Sequence, residues 1–219
     1  MSRKPTIIAP SVLACDFSRI GEEVIRTEKA GADWFHIDIM DGHFVDNFPF
    51  GPAVTEAIAK VTTRPLDVHL MIDRPDRFFP RFQPFVRNIT FHVEAPCDTS
   101  ATVRAIRETG CTVGIAISPP TPFARVEPYL NQIDLLLVMT VNPGFGGQAF
   151  IPEMMEKVTA ARKIRERRGL DFHIEVDGGI HLDTARVATE AGANVLVAGT
   201  AVFHSKDPAK SIAELRGVE

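Results

Sequence analysis

Short apolar segments alternate with amphipathic segments eight times along the 219 residues of the chain. The predicted strands are residues 6–9, 34–39, 66–71, 88–93, 112–117, 135–139, 171–176 and 195–198. This alternation predicts a parallel sheet with right-handed crossovers. Eight units in a chain of this length favour the α/β class and a compact, single-domain (β/α)₈ TIM barrel. An open, doubly wound sheet is the alternative. Its first strand–helix turn usually carries glycines, and Pro10-Ser11-Val12-Leu13 has none.

The intervening segments differ in how clearly they predict helices. Clear helical patterns cover residues 16–30, 51–61, 99–110, 152–168, 182–191 and 209–215. Residues 74–85 contain three prolines, so any helix there is short or kinked, and residues 123–130 form a short helix at best. No linker-like stretch divides the chain, and residues 1–219 are therefore predicted to form one domain.

Composition excludes several classes of function. The net charge of −4 gives no electrostatic basis for binding nucleic acid. No apolar run is long enough for a membrane span or for the core of a signal peptide. The three cysteines, Cys15, Cys97 and Cys111, are widely spaced and odd in number, which indicates a reduced, intracellular and cytoplasmic protein.

Polar side chains punctuate the apolar strands. His36, Asp38 and Met40 are spaced by two, so they share one face of the second strand. His69 lies on the third strand and Asp177 follows the seventh. Because strand ends meet at the mouth of a barrel, two imidazoles and two carboxylates are expected to converge there. Such a set favours Zn²⁺, Fe²⁺, Mn²⁺ or Co²⁺ over Mg²⁺. A buried network of His–Asp hydrogen bonds is the alternative.

Glycine-rich turns follow the last three strands. They contain Gly144, Phe145, Gly146 and Gly147, then Gly178 and Gly179, and finally Gly199 and Thr200. Backbone N–H groups in such turns bind anions, and the turns after strands seven and eight often bind phosphate in this barrel. Tight turns that require positive φ are the alternative. The sequence has no nucleotide-triphosphate loop motif, and no strand end carries the lysine that a Schiff base needs.

Three methionines, Met40, Met71 and Met139, also stand at strand ends. Position alone favours core packing, because methionine fills irregular gaps well. The other interpretation is an uncharged, polarizable floor beside a carbanion.

Six ordered motifs identify a resemblance to the ribulose-phosphate 3-epimerase family, over nearly the whole chain. They are Ala9-Pro-Ser11-Val-Leu13, His36-Ile-Asp38-Ile-Met40-Asp-Gly-His-Phe44, Asp67-Val-His69-Leu-Met71, Val138-Met-Thr-Val-Asn-Pro-Gly-Phe-Gly-Gly147, Glu175-Val-Asp177-Gly-Gly-Ile180 and Ala198-Gly-Thr-Ala-Val-Phe203. The resemblance implies one divalent metal ion held by His36, Asp38, His69 and Asp177. It also implies that Asp38 and Asp177 are the acid/base pair, that Ser11 and His69 contact substrate, and that the glycine turns hold its phosphate.

The implied reaction is the reversible interconversion of D-ribulose 5-phosphate and D-xylulose 5-phosphate through an ene-diolate. An epimerase for a six-carbon ketose phosphate, such as allulose 6-phosphate, is the nearest alternative. Related decarboxylase and aldolase barrels resemble a D-x-K-x-x-D pattern on strand three, and here that strand has no lysine. A non-catalytic metal- or phosphate-binding barrel is the remaining alternative, which the presence of both acid/base carboxylates disfavours.

Two positions depart from the family pattern. Asp46 stands where the family usually has proline, in the loop after strand two, and is expected to affect loop rigidity more than chemistry. Ser118 stands where asparagine usually precedes Pro119, and is expected to alter polar contacts near the mouth. A homo-oligomer is also expected, with the Phe-rich residues 78–85 as a possible contact surface.

Overall fold

A computed structural model describes residues 4–217 and contains the predicted barrel. Eight parallel strands follow one another around it: β1 Ile7–Ala9, β2 Phe35–Met40, β3 Leu66–Met71, β4 Asn88–His92, β5 Thr112–Ile117, β6 Leu135–Met139, β7 His173–Asp177 and β8 Val195–Val197. Strand β1 pairs with β8, and a parallel bridge between Ser11 and His36 joins the remaining edge to β2. The single-domain (β/α)₈ fold is thus confirmed. Residues 1–3 and 218–219 of the predicted domain lie outside the described residues.

Helices connect most of the strands. They are α1 Ile20–Lys29, α2 Pro52–Ala59, α3 Pro75–Phe78, α4 Thr99–Glu108, α5 Met155–Arg168, α6 Leu182–Ala191, α7 Thr200–Phe203 and α8 Pro208–Arg216. Short 3₁₀ turns occupy Val12–Ala14, Phe17–Arg19, Phe79–Arg81, Phe123–Arg125, Glu127–Tyr129 and Pro152–Met154. Within residues 4–217, no helix has the length and apolar character needed to cross a membrane.

Local sequence signals account for several helix ends. The carboxylates of Asp98 and Asp207 accept backbone N–H groups at the starts of α4 and α8, which satisfies otherwise unpaired donors. Helix α5 ends at Gly169, whose φ of 65° is the left-handed conformation that glycine adopts at low cost.

The strands separate two differently composed layers. Residues such as Phe35, Ile37 and Ile39 of β2 face the helices and belong to the large apolar core. The alternate residues of the same strand face the barrel interior, because side chains two apart share a face. There His36 and Asp38 are 0% and 3% exposed. The fold therefore buries its polar side chains in the centre of the barrel, where they require partners.

The connections that carry prolines are less regular than the others. Between β5 and β6 the described chain forms two 3₁₀ turns and no α-helix, as the sequence suggested. Residues 74–85 form a helix of four residues and a 3₁₀ turn. Phe79 and Phe82 of this segment are only 6% and 2% exposed, whereas Phe78 is 41% exposed. Two of the four phenylalanines in residues 78–85 thus pack inward, and the expected contact surface stays a prediction.

Candidate active site

A cavity of about 820 Å³ opens at the C-terminal ends of the strands. Most of the predicted site residues line it, namely Asp38, Met40, Met71, Met139, Gly144, Phe145, Gly146, Gly147, Asp177, Gly178, Gly179, Gly199 and Thr200. Ser11, His36 and His69 do not line the cavity; they are at most 7% exposed and lie in its immediate surroundings. The structure therefore brings the predicted residues to one end of the barrel, with these three set below the surface of the cavity.

Four donor atoms form a compact cluster beside this cavity. His69 Nδ1 lies 3.2 Å from Asp38 Oδ1, and His36 Nε2 lies 3.4 Å from the same oxygen. Asp177 Oδ2 is 3.9 Å from His36 Nε2 and 4.0 Å from His69 Nδ1. All four ligand atoms lie within 4.8 Å of one another. Neighbouring ligands of a tetrahedral zinc ion are roughly 3.3 Å apart, since each lies ~2.0–2.2 Å from the ion. The cluster thus fits one divalent transition-metal ion.

The pKa values of the two carboxyl groups in the cluster are shifted in opposite directions. Burial would raise the pKa of Asp38, but positive charge on His36 and the contacts of His36 and His69 with the carboxylate hold that pKa well below its usual value. Burial, reinforced by the negative charge of Asp38, raises the pKa of Asp177 to about 7. At neutral pH the metal-free protein therefore keeps Asp38 ionised, while Asp177 is near the midpoint of its titration. Such a pair is typical of paired acid and base groups.

Ser11 and Asp67 hold two members of the cluster in place. The Ser11 hydroxyl donates to Asp38 Oδ2 at 2.7 Å, so Asp38 keeps its other oxygen directed at the histidines. Asp67 Oδ2 lies 2.8 Å from His36 Nδ1, and its other oxygen accepts from the Asn88 amide at 2.7 Å. With Nδ1–H donated to Asp67, His36 directs Nε2 at the cluster, and Nε2 is the nitrogen that would bind a metal ion.

Glu175 lies deeper in the barrel and has a different environment. It is fully buried, and neither carboxylate oxygen has a hydrogen-bond partner among the described residues. Its Oε1 is 3.6 Å from His36 Nδ1. Burial and the charge of Asp67 raise the pKa of Glu175 well above its usual range. A neutral carboxylic acid is the form that such a site favours.

The methionines Met40, Met71 and Met139 form an apolar part of the cavity wall. Each is no more than 3% exposed, yet each borders the cavity. They are therefore both core residues and part of the site, so the two interpretations of their role are compatible. They add apolar surface to this part of the cavity without adding a charged group.

Backbone geometry explains some of the glycines at the mouth. Gly178 has a φ of 117°, and a Cβ there would lie 2.3 Å from the Val141 side chain. A Cβ on Gly179, whose φ is 65°, would lie 2.6 Å from the Phe150 backbone nitrogen. Gly146 has neither a positive φ nor any atom within 4 Å of a Cβ. Tight-turn geometry thus explains Gly178 and Gly179 but not Gly146, which leaves open space beside the cavity.

The sequence interpretation missed several residues at the rim. Asn47, Cys15, Gln148, His181 and His204 also border the cavity. The Asn47 amide donates to Gly144 O at 2.7 Å, which links the loop after β2 to the loop after β6. Its position directly after the Asp46 departure was the available signal. The others lie in loops or next to helix ends, where no periodic pattern indicates a direction.

The two departures differ in their surroundings. Asp46 is exposed in the loop after β2. Ser118 is buried, and its hydroxyl lies 3.2 Å from His92 Nδ1. Its backbone N–H donates to Glu94 Oε1 at 2.9 Å. Ser118 therefore makes polar contacts close to the site, through His92, which itself touches His69.

Comparisons with known proteins agree with this geometry. The model of the ribulose-phosphate 3-epimerase family matches residues 7–203. Ribulose-phosphate 3-epimerase of Bacillus subtilis is 46% identical over 212 residues, which are 96% of this chain and 98% of that protein. The enzymes of the same name from Mycobacterium bovis and Synechocystis are 48% and 46% identical; the alignments cover 96% and 97% of this chain and 91% and 94% of theirs.

Solved structures of lower identity share the barrel. Orotidine 5'-phosphate decarboxylase from Pyrococcus horikoshii aligns with a TM-score of 0.68 at 11% identity, over 97% of this chain and 98% of that one. 3-Hexulose-6-phosphate synthase from Salmonella typhimurium aligns with a TM-score of 0.67 at 19% identity, over 97% of each chain. These likenesses show the fold, whereas the family match and the curated relatives show the kind of enzyme. The chain belongs to the ribulose-phosphate 3-epimerase family, a family of isomerases.

Proposed function

We propose that this enzyme interconverts D-ribulose 5-phosphate and D-xylulose 5-phosphate by moving a proton at C3. The observation that carries this proposal is the pair of carboxylates, Asp38 and Asp177, which border one cavity from strands β2 and β7. Strands β1 and β8 separate these two strands around the barrel. Inversion at C3 requires that a proton leave one face of the carbon and that another arrive at the opposite face. Two carboxylates on different strands can serve the two faces.

Each carboxylate acts in both directions of the reaction. In one direction the ionised carboxylate removes the C3 proton, and the protonated partner delivers a proton from the other side; the reverse reaction exchanges the roles. In the metal-free protein the pKa of Asp38 lies below its usual value and that of Asp177 above it, so the two groups differ in proton affinity, which supports an acid/base pair. The intermediate between the two transfers is an ene-diolate of the substrate.

The proposed cofactor is one divalent metal ion, with His36, Asp38, His69 and Asp177 as its ligands. The set of two imidazoles and two carboxylates suits Zn²⁺, Fe²⁺, Mn²⁺ or Co²⁺. When bound, such an ion supplies positive charge next to the substrate oxygens on which negative charge develops. The protein's own part is to hold the four donor atoms together, with Ser11 on Asp38 and Asp67 on His36.

Two other walls of the cavity bind and orient the substrate in this proposal. The turns at Gly144–Gly147, Gly178–Gly179 and Gly199–Thr200 present backbone groups to its phosphate. The open space at Gly146 supports close approach of a ligand to the backbone. Met40, Met71 and Met139 exclude water around C3. Ser11 and His69 lie just below the cavity, so their proposed contact with substrate is at the reacting end.

We also propose that the enzyme works as a homo-oligomer in the cytoplasm and that it binds no nucleic acid. Support for the compartment comes from Cys15, Cys97 and Cys111, which are free thiols in the structure. The net charge of −4 supports the absence of nucleic-acid binding.

Epimerisation of D-ribulose 5-phosphate, with and without a chelator, tests the proposal together with elemental analysis of the purified protein. Activity that is lost on chelation and restored by a divalent transition metal is the expected result. Turnover that continues after complete removal of metal would refute the metal requirement but would still support the proposed epimerase activity. Allulose 6-phosphate serves as the comparison substrate, and a higher kcat/KM for it would replace the pentulose assignment with the six-carbon alternative.

A further inference from the structure

A relay of hydrogen-bonding side chains, formed by His69, His92 and Glu94, extends from the metal cluster to a carboxylate outside it. His69 Nδ1 faces the cluster, and its other nitrogen, Nε2, lies 2.9 Å from Nε2 of His92. His92 Nδ1 lies 3.0 Å from Oε2 of Glu94. Both histidines are fully buried. Their ring planes differ by 26°, so the N–H of one ring can point close to the lone pair of the other.

The carboxylate of Glu94 determines which atom donates and which accepts in each hydrogen bond of the relay. A carboxylate only accepts, so the proton between Glu94 and His92 belongs to His92 Nδ1. A neutral imidazole carries one proton, and His92 Nε2 is then an acceptor. The proton between the two rings therefore belongs to His69 Nε2, which leaves the lone pair on His69 Nδ1. That nitrogen is the one that faces the cluster.

Glu94 is held in the form that this direction requires. Burial would raise its pKa, but hydrogen bonds from His92, Thr121 and the Ser118 backbone lower the pKa of Glu94 to about 2. The loop that carries Ser118 is itself fixed, because Lys157 Nζ on α5 donates to the carbonyl oxygens of Ser118, Pro119 and Thr121 at 2.9, 2.8 and 2.7 Å.

We propose that Glu94 and His92 are positioning residues that set the tautomer of His69, so that its Nδ1 is available to bind a divalent metal ion. This proposal rests on the proposed metal site. Neither residue belongs to the four-ligand cluster, and neither borders the cavity. Of the four cluster ligands, His69 is the one that His92 contacts. Asp67 contacts the other cluster histidine directly, with 2.8 Å between its Oδ2 and His36 Nδ1. Each histidine of the cluster is therefore linked to a carboxylate, His36 directly and His69 through His92.

The test replaces Glu94, the last residue of the relay, by a side chain of the same shape. In Glu94→Gln the side-chain amide can donate to His92 Nδ1, which permits the opposite tautomer in both rings. Ser118→Ala is the matched control, because it removes the longer contact to the same nitrogen, at 3.2 Å, and keeps the backbone N–H that holds Glu94. Metal-stripped wild type and both variants are titrated with Zn²⁺ at pH 8 against a chromophoric chelator. Circular dichroism checks that each is folded.

We expect Glu94→Gln to weaken Zn²⁺ binding by roughly 10- to 100-fold, the usual effect of losing a partner of a metal-bound histidine. Ser118→Ala should bind Zn²⁺ like wild type. Zn²⁺ affinity in Glu94→Gln equal to that of wild type would overturn the proposal.

A spectroscopic measurement on the wild type decides the question even if Glu94→Gln does not fold. Two-bond ¹H–¹⁵N spectra of the Zn²⁺-loaded protein distinguish the protonated nitrogens of each ring. The expected pattern is a proton on Nδ1 of His92 and on Nε2 of His69; a proton on Nε2 of His92 would contradict the relay. If wild type shows the expected tautomers but does not epimerise D-ribulose 5-phosphate, the result supports the relay and contradicts the proposed function. If wild type epimerises this substrate and Glu94→Gln keeps the wild-type Zn²⁺ affinity, the result contradicts the relay alone.

Discussion

Replacing Asp177 by asparagine separates the functional demands of the site from its stability. Asp177 lies in the cluster with its side chain 16% exposed, and its Oδ2 approaches both cluster histidines without any carboxylate hydrogen bond among the described residues. Its pKa in the folded protein is about 7, against a usual value of 3.8. The native state therefore binds this proton more tightly than the unfolded chain does. In metal-free protein the ionisation of Asp177 lowers stability progressively as the pH rises from about 4 to about 7.

The size of this effect follows from the shift. Each pKa unit corresponds to about 1.4 kcal/mol, so a shift from 3.8 to about 7 gives an upper limit of about 4 kcal/mol at pH 8. The amide of Asp177→Asn does not ionise and removes this penalty. The metal-free variant should consequently be more stable than metal-free wild type at pH 8, with a smaller gain at pH 5. Its epimerase activity should fall by at least ~10²–10⁴-fold, because one of the two proton-transfer groups is gone.

Urea unfolding of chelator-treated protein at pH 5 and pH 8 measures the stability change, and a coupled epimerase assay with added metal measures activity. Asp183→Asn, in the exposed first turn of α6, is the control for loss of one carboxylate. A stability difference that does not grow between pH 5 and pH 8 would show that burial does not raise the Asp177 pKa. Full activity in Asp177→Asn would refute its role in proton transfer.

Two further predictions concern the glycine turns and the metal. Gly178→Ala should destabilise the protein by roughly 1–3 kcal/mol in urea unfolding, because its positive φ and the Val141 side chain oppose a Cβ. Gly146→Ala, where a Cβ meets no atom within 4 Å, should keep wild-type stability; equal losses in both variants would contradict this explanation. Saturating Zn²⁺ at about 100 times its Kd should stabilise metal-free protein by about 2.7 kcal/mol, which differential scanning calorimetry detects as a raised Tm. An unchanged Tm, with metal absent from the recovered protein, would argue against the cluster as a metal site.

Much of the barrel could be predicted from the sequence because its strands are short, apolar and bounded by turn residues. The predicted bounds of β3, β5, β6 and α6 agree with the structure. Other bounds shifted where the pattern was weak: β7 begins at His173 and extends to Asp177. The short helix α7 was missed, because four residues are too few to show a helical period. Closure of the barrel through Ser11 and His36 depends on tertiary pairing that no local pattern encodes.

The site was predictable to the extent that strand alternation determines which way a side chain points. It placed His36, Asp38, His69 and Asp177 at one end, and their atoms do cluster. Strand alternation does not predict contacts between side chains of neighbouring strands, because these contacts depend on register and rotamer. The meeting of His69 with His92 is one example.

Deuterium incorporation at C3 tests the central claim most directly. Wild-type enzyme converts D-ribulose 5-phosphate in D₂O with its metal present, and the first product formed is analysed by NMR. The account predicts one deuterium at C3 of the first D-xylulose 5-phosphate formed, because the carboxyl group that delivers the new proton has already exchanged with solvent. Product that keeps the original hydrogen at C3 would contradict proton transfer by two separate groups.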